Sequence, residues 1–264
     1  MRPRYARRLA ALSLAGCAAA SAQEAPQDVA PGANRAGVVH VNAIKNPEMH
    51  SYRAIVAGLD AFDEQHALAP AVPQLKFVVR TRSGAVLDGD IPTATLSGDA
   101  FTLPLPVGAD ALFTVPRSAQ AWDANAELVL SRRRTDVRVW PHVRTPGLAD
   151  NQRRLGDVRL ECQVFVTIAK KEAPFWVVAL ANTMFLTGDW CNAFKDADNF
   201  WSVTVESPLA SAVLREGERT LPLRVKGHRF ELPLADASWS NEAIIDLAYA
   251  SIEPSAVKGE GAAP

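Results

Sequence analysis

From Leu75 onward, short apolar runs alternate with polar positions and are broken by Gly, Pro, Asp and Asn. A period of two places successive side chains on opposite sides of an extended backbone, so this pattern predicts strands with one buried face. It restricts the body of the chain to a mainly β fold, a β-sandwich preceded by one amphipathic helix. The clearest predicted strand is DVRLECQVFVTIAK, residues 157–170. Val158, Leu160, Cys162, Val164, Val166 and Ile168 fall on one side of it. Asp157, Arg159, Glu161, Gln163 and Thr167 fall on the other. Cys162 therefore points into a core.

The second clear element is RTLPLRVKGHRFELPL, residues 219–234. A two-residue turn at Lys226-Gly227 predicts a hairpin in which Val225 faces His228, Leu223 faces Phe230 and Leu221 faces Leu232. Pro222 and Pro233 cannot donate ladder hydrogen bonds, so the hairpin is expected at a sheet edge. Ahead of the β body, Met49, Tyr52, Ile55, Val56, Leu59 and Phe62 recur at helical spacing. Asn46 as cap and Pro47 in the first turn predict a helix over 46–69, closed by the Ala69-Pro70 step.

The first residues have a different logic. MRPRYARR carries four arginines and no acid, and LAALSLA follows as a short apolar run. This is the pattern of an export signal, too short to span a bilayer. Two cleavage readings compete. Leu14-Ala15-Gly16-Cys17 resembles a bacterial lipobox, which would lipidate Cys17 and tie the chain to the outer membrane facing the periplasm. Ala20-Ser21-Ala22 resembles an ordinary signal peptidase site, which would release a soluble periplasmic protein. The compact apolar run favours the lipoprotein. The expected organisation is a signal over 1–22 (1–16 for a lipoprotein), a tether over 23–45, the helix over 46–69, a β-sandwich over 70–170, a further β region over 171–250 and a loose tail over 251–264.

Export gives the cysteines a meaning. With Cys17 lipidated or removed, Cys162 and Cys191 remain as an even pair in an oxidising compartment, and a disulfide is expected. Two buried free thiols are the alternative. Phe175, Trp176, Trp190 and Trp201 flank Cys191, either as packing around the disulfide or as a sugar-binding platform.

Of the chain's 28 basic residues, four lie in the signal, leaving 24 against 29 acids and a net charge of −5. That balance argues against a nucleic-acid partner, which selects basic domains. Against this background one stretch is locally basic. Arg132, Arg133, Arg134, Arg138, Arg144, Arg153, Arg154 and Arg159 are opposed only by Asp136, Asp150 and Asp157. Guanidinium groups bind carboxylates and phosphates in bidentate fashion. This segment is the candidate contact for an envelope partner or an anionic envelope polymer, such as lipopolysaccharide phosphates or peptidoglycan carboxylates. A solvated loop paired with acids elsewhere is the plainer alternative.

Residues 77–116 carry Ser83-Gly84-Ala85-Val86, Ala94-Thr95-Leu96, Gly98-Asp99-Ala100-Phe101-Thr102-Leu103-Pro104, Gly108 and Leu112-Phe113-Thr114-Val115. The run resembles the carboxypeptidase regulatory-like (transthyretin-like) β-sandwich, extending over residues 77–130. The resemblance implies a small non-catalytic sandwich and transfers no catalytic residue.

The chain has no G-x-S-x-G elbow, H-E-x-x-H pair or phosphate-cradling loop. Ser255 and Lys258 match S-x-x-K inside the tail, where nothing would position them. His40, His50, His66, His142 and His228 are scattered without ligand spacing and read as surface or strand-edge residues. Asp88-Gly89-Asp90 and Asp196-Ala197-Asp198-Asn199 read as turns. No catalytic residue, metal site or cofactor is assigned. The reading is a non-enzymatic envelope protein, with membrane contact through an N-terminal lipid if Cys17 is acylated. The alternative is a periplasmic hydrolase assembled from distant residues, with His142 or His228 beside a carboxylate in a cleft.

Overall fold

The structure, a computed structural model, describes residues 44–84, 87, 89–194 and 200–250. The expected signal with Cys17, the tether up to residue 43, His40, Asp88, the turn at 196–199 and the tail 251–264 with Ser255 and Lys258 lie outside the described residues. The chain from Ala43 onward belongs to one unit.

Its elements in order are β1 (Pro47–Ser51), α1 (Tyr52–Glu64), β2 (Lys76–Thr81), β3 (Ala94–Gly98), β4 (Phe101–Leu105), β5 (Leu112–Phe113), α2 (Ala119–Asp123), β6 (Glu127–Arg133), β7 (Val137–His142), β8 (Gln152–Arg154), α3 (Leu155–Glu172) and α4 (Phe175–Phe185). There follow β9 (Trp201–Thr204), β10 (Leu209–Glu216), β11 (Arg219–Leu223), β12 (Val225–Lys226), β13 (Arg229–Leu232) and β14 (Ile244–Tyr249). The fold is mainly β, with antiparallel sheets ordered β1-β6-β3-β4, β5-β2-β7, β11-β10-β14-β8 and β12-β13-β9.

Two hydrophobic cores organise these sheets. In the first, Leu96, Leu128 and Leu130 from one sheet meet Phe77, Val79, Phe113 and Val139 from another, with Tyr52, Ile55 and Phe62 of α1 added. In the second, Leu214, Ile245 and Leu247 meet Val203, Phe230 and Leu232. Between them runs α3, and here the clearest predicted strand is overturned: residues 157–170 are helical. The reason is geometric. Residues two apart on an α-helix are separated by about 200°. Strict alternation therefore splits into two interleaved i, i+4, i+8 stripes on opposite sides. Leu160, Val164 and Ile168 enter the first core. Val158, Cys162 and Val166 enter the second. A helix buried on two sides carries the same sequence signature as a half-buried strand. Cys162 is fully buried as expected, and its sulfur is bonded to that of Cys191.

Three further expectations are corrected. Residues 47–51 form β1 rather than the first turn of a helix, because they pair with β6, and α1 begins at Tyr52. Asn46 has φ 55° and is no cap; Met49, counted in the helical stripe, is exposed on the strand. In the hairpin region, Arg219–Leu223 pairs with β10, and only Val225–Lys226 pairs with Arg229–Leu232. Val225 faces Phe230, so the turn is Gly227-His228 and the predicted register is off. Gly227 and Gly217 each open a two-residue turn with φ near +60°, a conformation glycine adopts without strain. Pro222 does lie on an edge strand, β11. Finally, the region after residue 171 is not wholly β, since α4 occupies Phe175–Phe185.

α1 lies directly across α3. A Cβ at Gly58 would stand 2.7 Å from the Ile168 side chain, so glycine sets how closely the two helices approach. The α3 flank between the two apolar stripes carries Asp157 and Glu161, both buried. Asp157 accepts hydrogen bonds from the Thr145 backbone N–H and hydroxyl, each 2.7 Å. Glu161 accepts from Val143 N–H and from Arg153 Nη2, each 2.9 Å. These bonds fix the chain just beyond β7.

Candidate functional site: an arginine-lined cleft

The outer face of the β5-β2-β7 sheet is where the sequence's basic residues converge. Cross-strand pairs share a face, so Lys76 with His142, Val78 with Trp140 and Arg80 with Arg138 form one column. The opposite face, with Phe77, Val79 and Val139, fills the first core. Placing Arg80 directly opposite Arg138 is locally unfavourable. Burial pushes both guanidinium pKa values down, and neighbouring cations push them further, Arg153 at Arg80 and Arg229 at Arg138. Arg80 donates from Nη1 to Thr204 O at 2.8 Å, and Arg138 from Nη2 to the Thr204 hydroxyl at 3.3 Å. The Nε atoms of both are buried without a protein partner.

Beside this pair lies a cleft of about 420 Å³, lined by Arg80, His142, Arg144, Arg153, Leu247 and Tyr249 among others. Arg153 is held by Glu161 and Val143 O through Nη2, while its Nε has no partner. His142 Nδ1 is also buried and unpartnered. Burial pushes the His142 pKa down to about 3, with Arg153, Arg80, Arg144 and Lys76 acting in the same sense, so the ring is neutral at physiological pH. Four of the six such unpartnered buried side-chain atoms among the described residues thus belong to this one region. Asp110, Asp150 and Glu206 stand at the same cleft. Arg144 lies 3.9 Å from the exposed Asp150. The cleft thus brings three guanidinium groups, a neutral imidazole and three carboxylates together.

The structure divides the predicted arginine segment. Arg144 and Arg153 line the cleft, and Arg138 stands outside its lining, across the strands from Arg80. Arg132, Arg133 and Arg134 lie at the β6–β7 turn, where Arg132 donates to Asp90 O at 2.7 Å. Arg154 is a structural anchor that bonds Glu242, Leu68 O and, at 3.7 Å, Asp157. Arg159 donates to Leu234 O, Asp236 O, Trp239 O and Asn241 Oδ1. Sequence reasoning missed Arg80; the signal was its alternation with Phe77 and Val79, which puts it on the face opposite the core.

Aromatic rings continue from this face toward the disulfide. Trp140 stacks on Phe165 at 4.1 Å, Phe165 lies 5.8 Å from Trp201, and Trp201 lies 5.2 Å from Phe194. Trp190 and Trp201 pack as expected around the second core. Phe175 and Trp176 do not; they are exposed.

The histidines sort differently from their sequence reading. His66 bonds Val72 O at 2.7 Å and His228 bonds Glu206 O at 3.1 Å. His50, whose sequence surroundings gave no warning, donates to Glu172 at 2.8 Å and Glu48 at 3.2 Å. Burial alone would lower its pKa, but the two carboxylates raise it to about 9. It is an imidazolium in an ion pair, not a general base. Among the described residues no group of three or more His, Cys, Asp or Glu is arranged to hold a metal ion.

No family model matches this chain, and no curated protein or solved structure is significantly similar to it.

Proposed function

We propose that this is an exported bacterial envelope protein that works by binding, and that the cleft lined by Arg80, Arg144 and Arg153 receives the anionic group of an envelope polymer or partner. The carrying observation is that Arg80 and Arg153 both line this cleft with unpartnered Nε donors. Buried cationic donors left unmade are unfavourable, and an incoming phosphate or carboxylate would satisfy them. The arginine-rich segment of the sequence and the Cys162–Cys191 disulfide, which suits an oxidising compartment, support the same reading. So does the export pattern ending at Cys17 or Ala22, with lipidation of Cys17 at the outer membrane as the favoured form. Within this reading residues 77–130 are a transthyretin-like sandwich serving as scaffold.

The test is co-sedimentation with purified peptidoglycan and, separately, with lipopolysaccharide, at low and high salt. The native chain should bind one of them in a salt-sensitive manner, and Arg80→Gln with Arg144→Gln should weaken capture by about tenfold or more. Absence of binding to both, or equal capture by the double variant, would overturn the proposal.

A further inference from the structure

Helix α4 has no buried residue over its 11 positions. Phe175 is 85% exposed, Met184 72% and the following Leu186 90%, with Trp176, Leu180 and Phe185 also exposed. Trp176, Leu180 and Met184 recur at i, i+4, i+8 and form one outward stripe. Both polar side chains of the helix have partners within the protein. Asn182 accepts from Trp190 Nε1 at 2.7 Å, and the Thr183 hydroxyl donates back to Ala179 O at 3.0 Å. No charged residue occurs between Glu172 and Asp189. Asp189 itself is engaged by Cys191 N–H and Asn192. Lys170 bonds Gly188 O and lies over the Trp190 ring, while the exposed Lys171 lines a groove with Arg53, Asp60 and Glu64 of α1.

We infer that α4 is a membrane-docking element that inserts its apolar surface into the interfacial layer of a phospholipid bilayer. Three features select this occupant. The helix is about 16 Å long, far short of a span, and its stripe of Trp176, Leu180 and Met184 suits a helix lying in the plane of the interface. No helix among the described residues is long and apolar enough to cross a membrane. A helix about 10 Å across offers at most a few hundred Å² to a second copy, short of the roughly 800 Å² per partner that stable dimers bury. The stripe carries no charge between Glu172 and Asp189, so apolar burial rather than headgroup attraction carries the contact. If Cys17 is lipidated, roughly 27 residues separate it from Ile44, a reach of up to about 90 Å, so both contacts can serve one membrane. No residue of α4 lines the arginine-bearing cleft.

The test employs the full chain carrying Cys17→Ser, so that no acyl chain contributes. Flotation with vesicles of phosphatidylglycerol and phosphatidylethanolamine should carry the protein upward. The triple variant Trp176→Ser, Leu180→Ser, Met184→Ser should bind about 100-fold more weakly, since each side chain loses apolar burial in lipid. Its melting temperature should not fall, because these side chains are already exposed. Failure of the parent to float, or equal flotation of the triple variant, would overturn the inference. So would a concentration-dependent dimer, abolished by the triple variant, in a parent that does not float; a second copy would then be the occupant.

Discussion

Leu160 and Cys162 stand two residues apart on α3, both fully buried, and they belong to different cores. One helix therefore couples both halves of the described body, and its two apolar stripes should each resist truncation. Leu160→Ala and Leu155→Ala remove equivalent side chains from the first and second core. Each should destabilise by about 2–5 kcal/mol in urea unfolding. Loss of one core's spectroscopic signal at lower denaturant, with the other unaffected, would show that α3 does not couple them.

The disulfide ties α3 to the segment after α4 across a separation of 29 residues. Replacing both cysteines by alanine should lower stability by about 2–4 kcal/mol through loop closure in the unfolded chain. Paired denaturation curves of the oxidised protein and the double variant measure this. An unchanged midpoint would mean that local packing alone holds the segment.

Glu161 and Arg153 form a buried ion pair at 2.9 Å, with Val143 N–H as a second donor to the carboxylate. Glu161→Leu would leave Arg153 buried without its counter-charge and should cost about 3–5 kcal/mol. Replacing both residues with apolar ones should be milder than replacing Glu161 alone. A double-mutant cycle in thermal unfolding checks the order.

Two histidines set opposite pH limits. His50 is raised to about 9, so it contributes stability that is complete below its unfolded value near 6.5 and is lost as pH rises toward 9. His142 is lowered to about 3; the unfolded state takes up a proton that the folded state refuses, so stability falls as pH drops from about 6.5 toward 3. His50→Gln should flatten the alkaline limb of stability against pH, and His142→Phe the acid limb. Titration of the ring resonances checks each assignment directly.

The helix crossing depends on Gly58. Gly58→Val should force α1 away from Ile168 and destabilise by about 1–3 kcal/mol. A melting temperature within error of the parent would show that Ile168 can swing aside without loss.

Much of this was legible in the chain. Strands at Ala94–Gly98, Phe101–Leu105 and Leu112–Phe113 fit the mainly β body read from the alternation after Leu75. The two cysteines pair, and Pro222 sits at an edge. The site was half legible. Arg138, Arg144 and Arg153 were marked by local charge density. Their separation from Arg132–Arg134, and their meeting with Arg80, depends on strand pairing between residues far apart in sequence.

By itself the sequence determined what each stretch could bury: which residues were apolar, how often they recurred and where glycine or proline had to interrupt. It did not determine which partner surface met them. DVRLECQVFVTIAK satisfies one buried face as a strand and two as a helix, because period two and paired four-residue stripes coincide. Only the presence of a core on each side of α3 selected the helix. In the same way, pairing with β6 made Pro47–Ser51 a strand despite the helix-start residues around it. Local pattern sets the alternatives; long-range contact, which supplies most of the burial free energy, chooses between them.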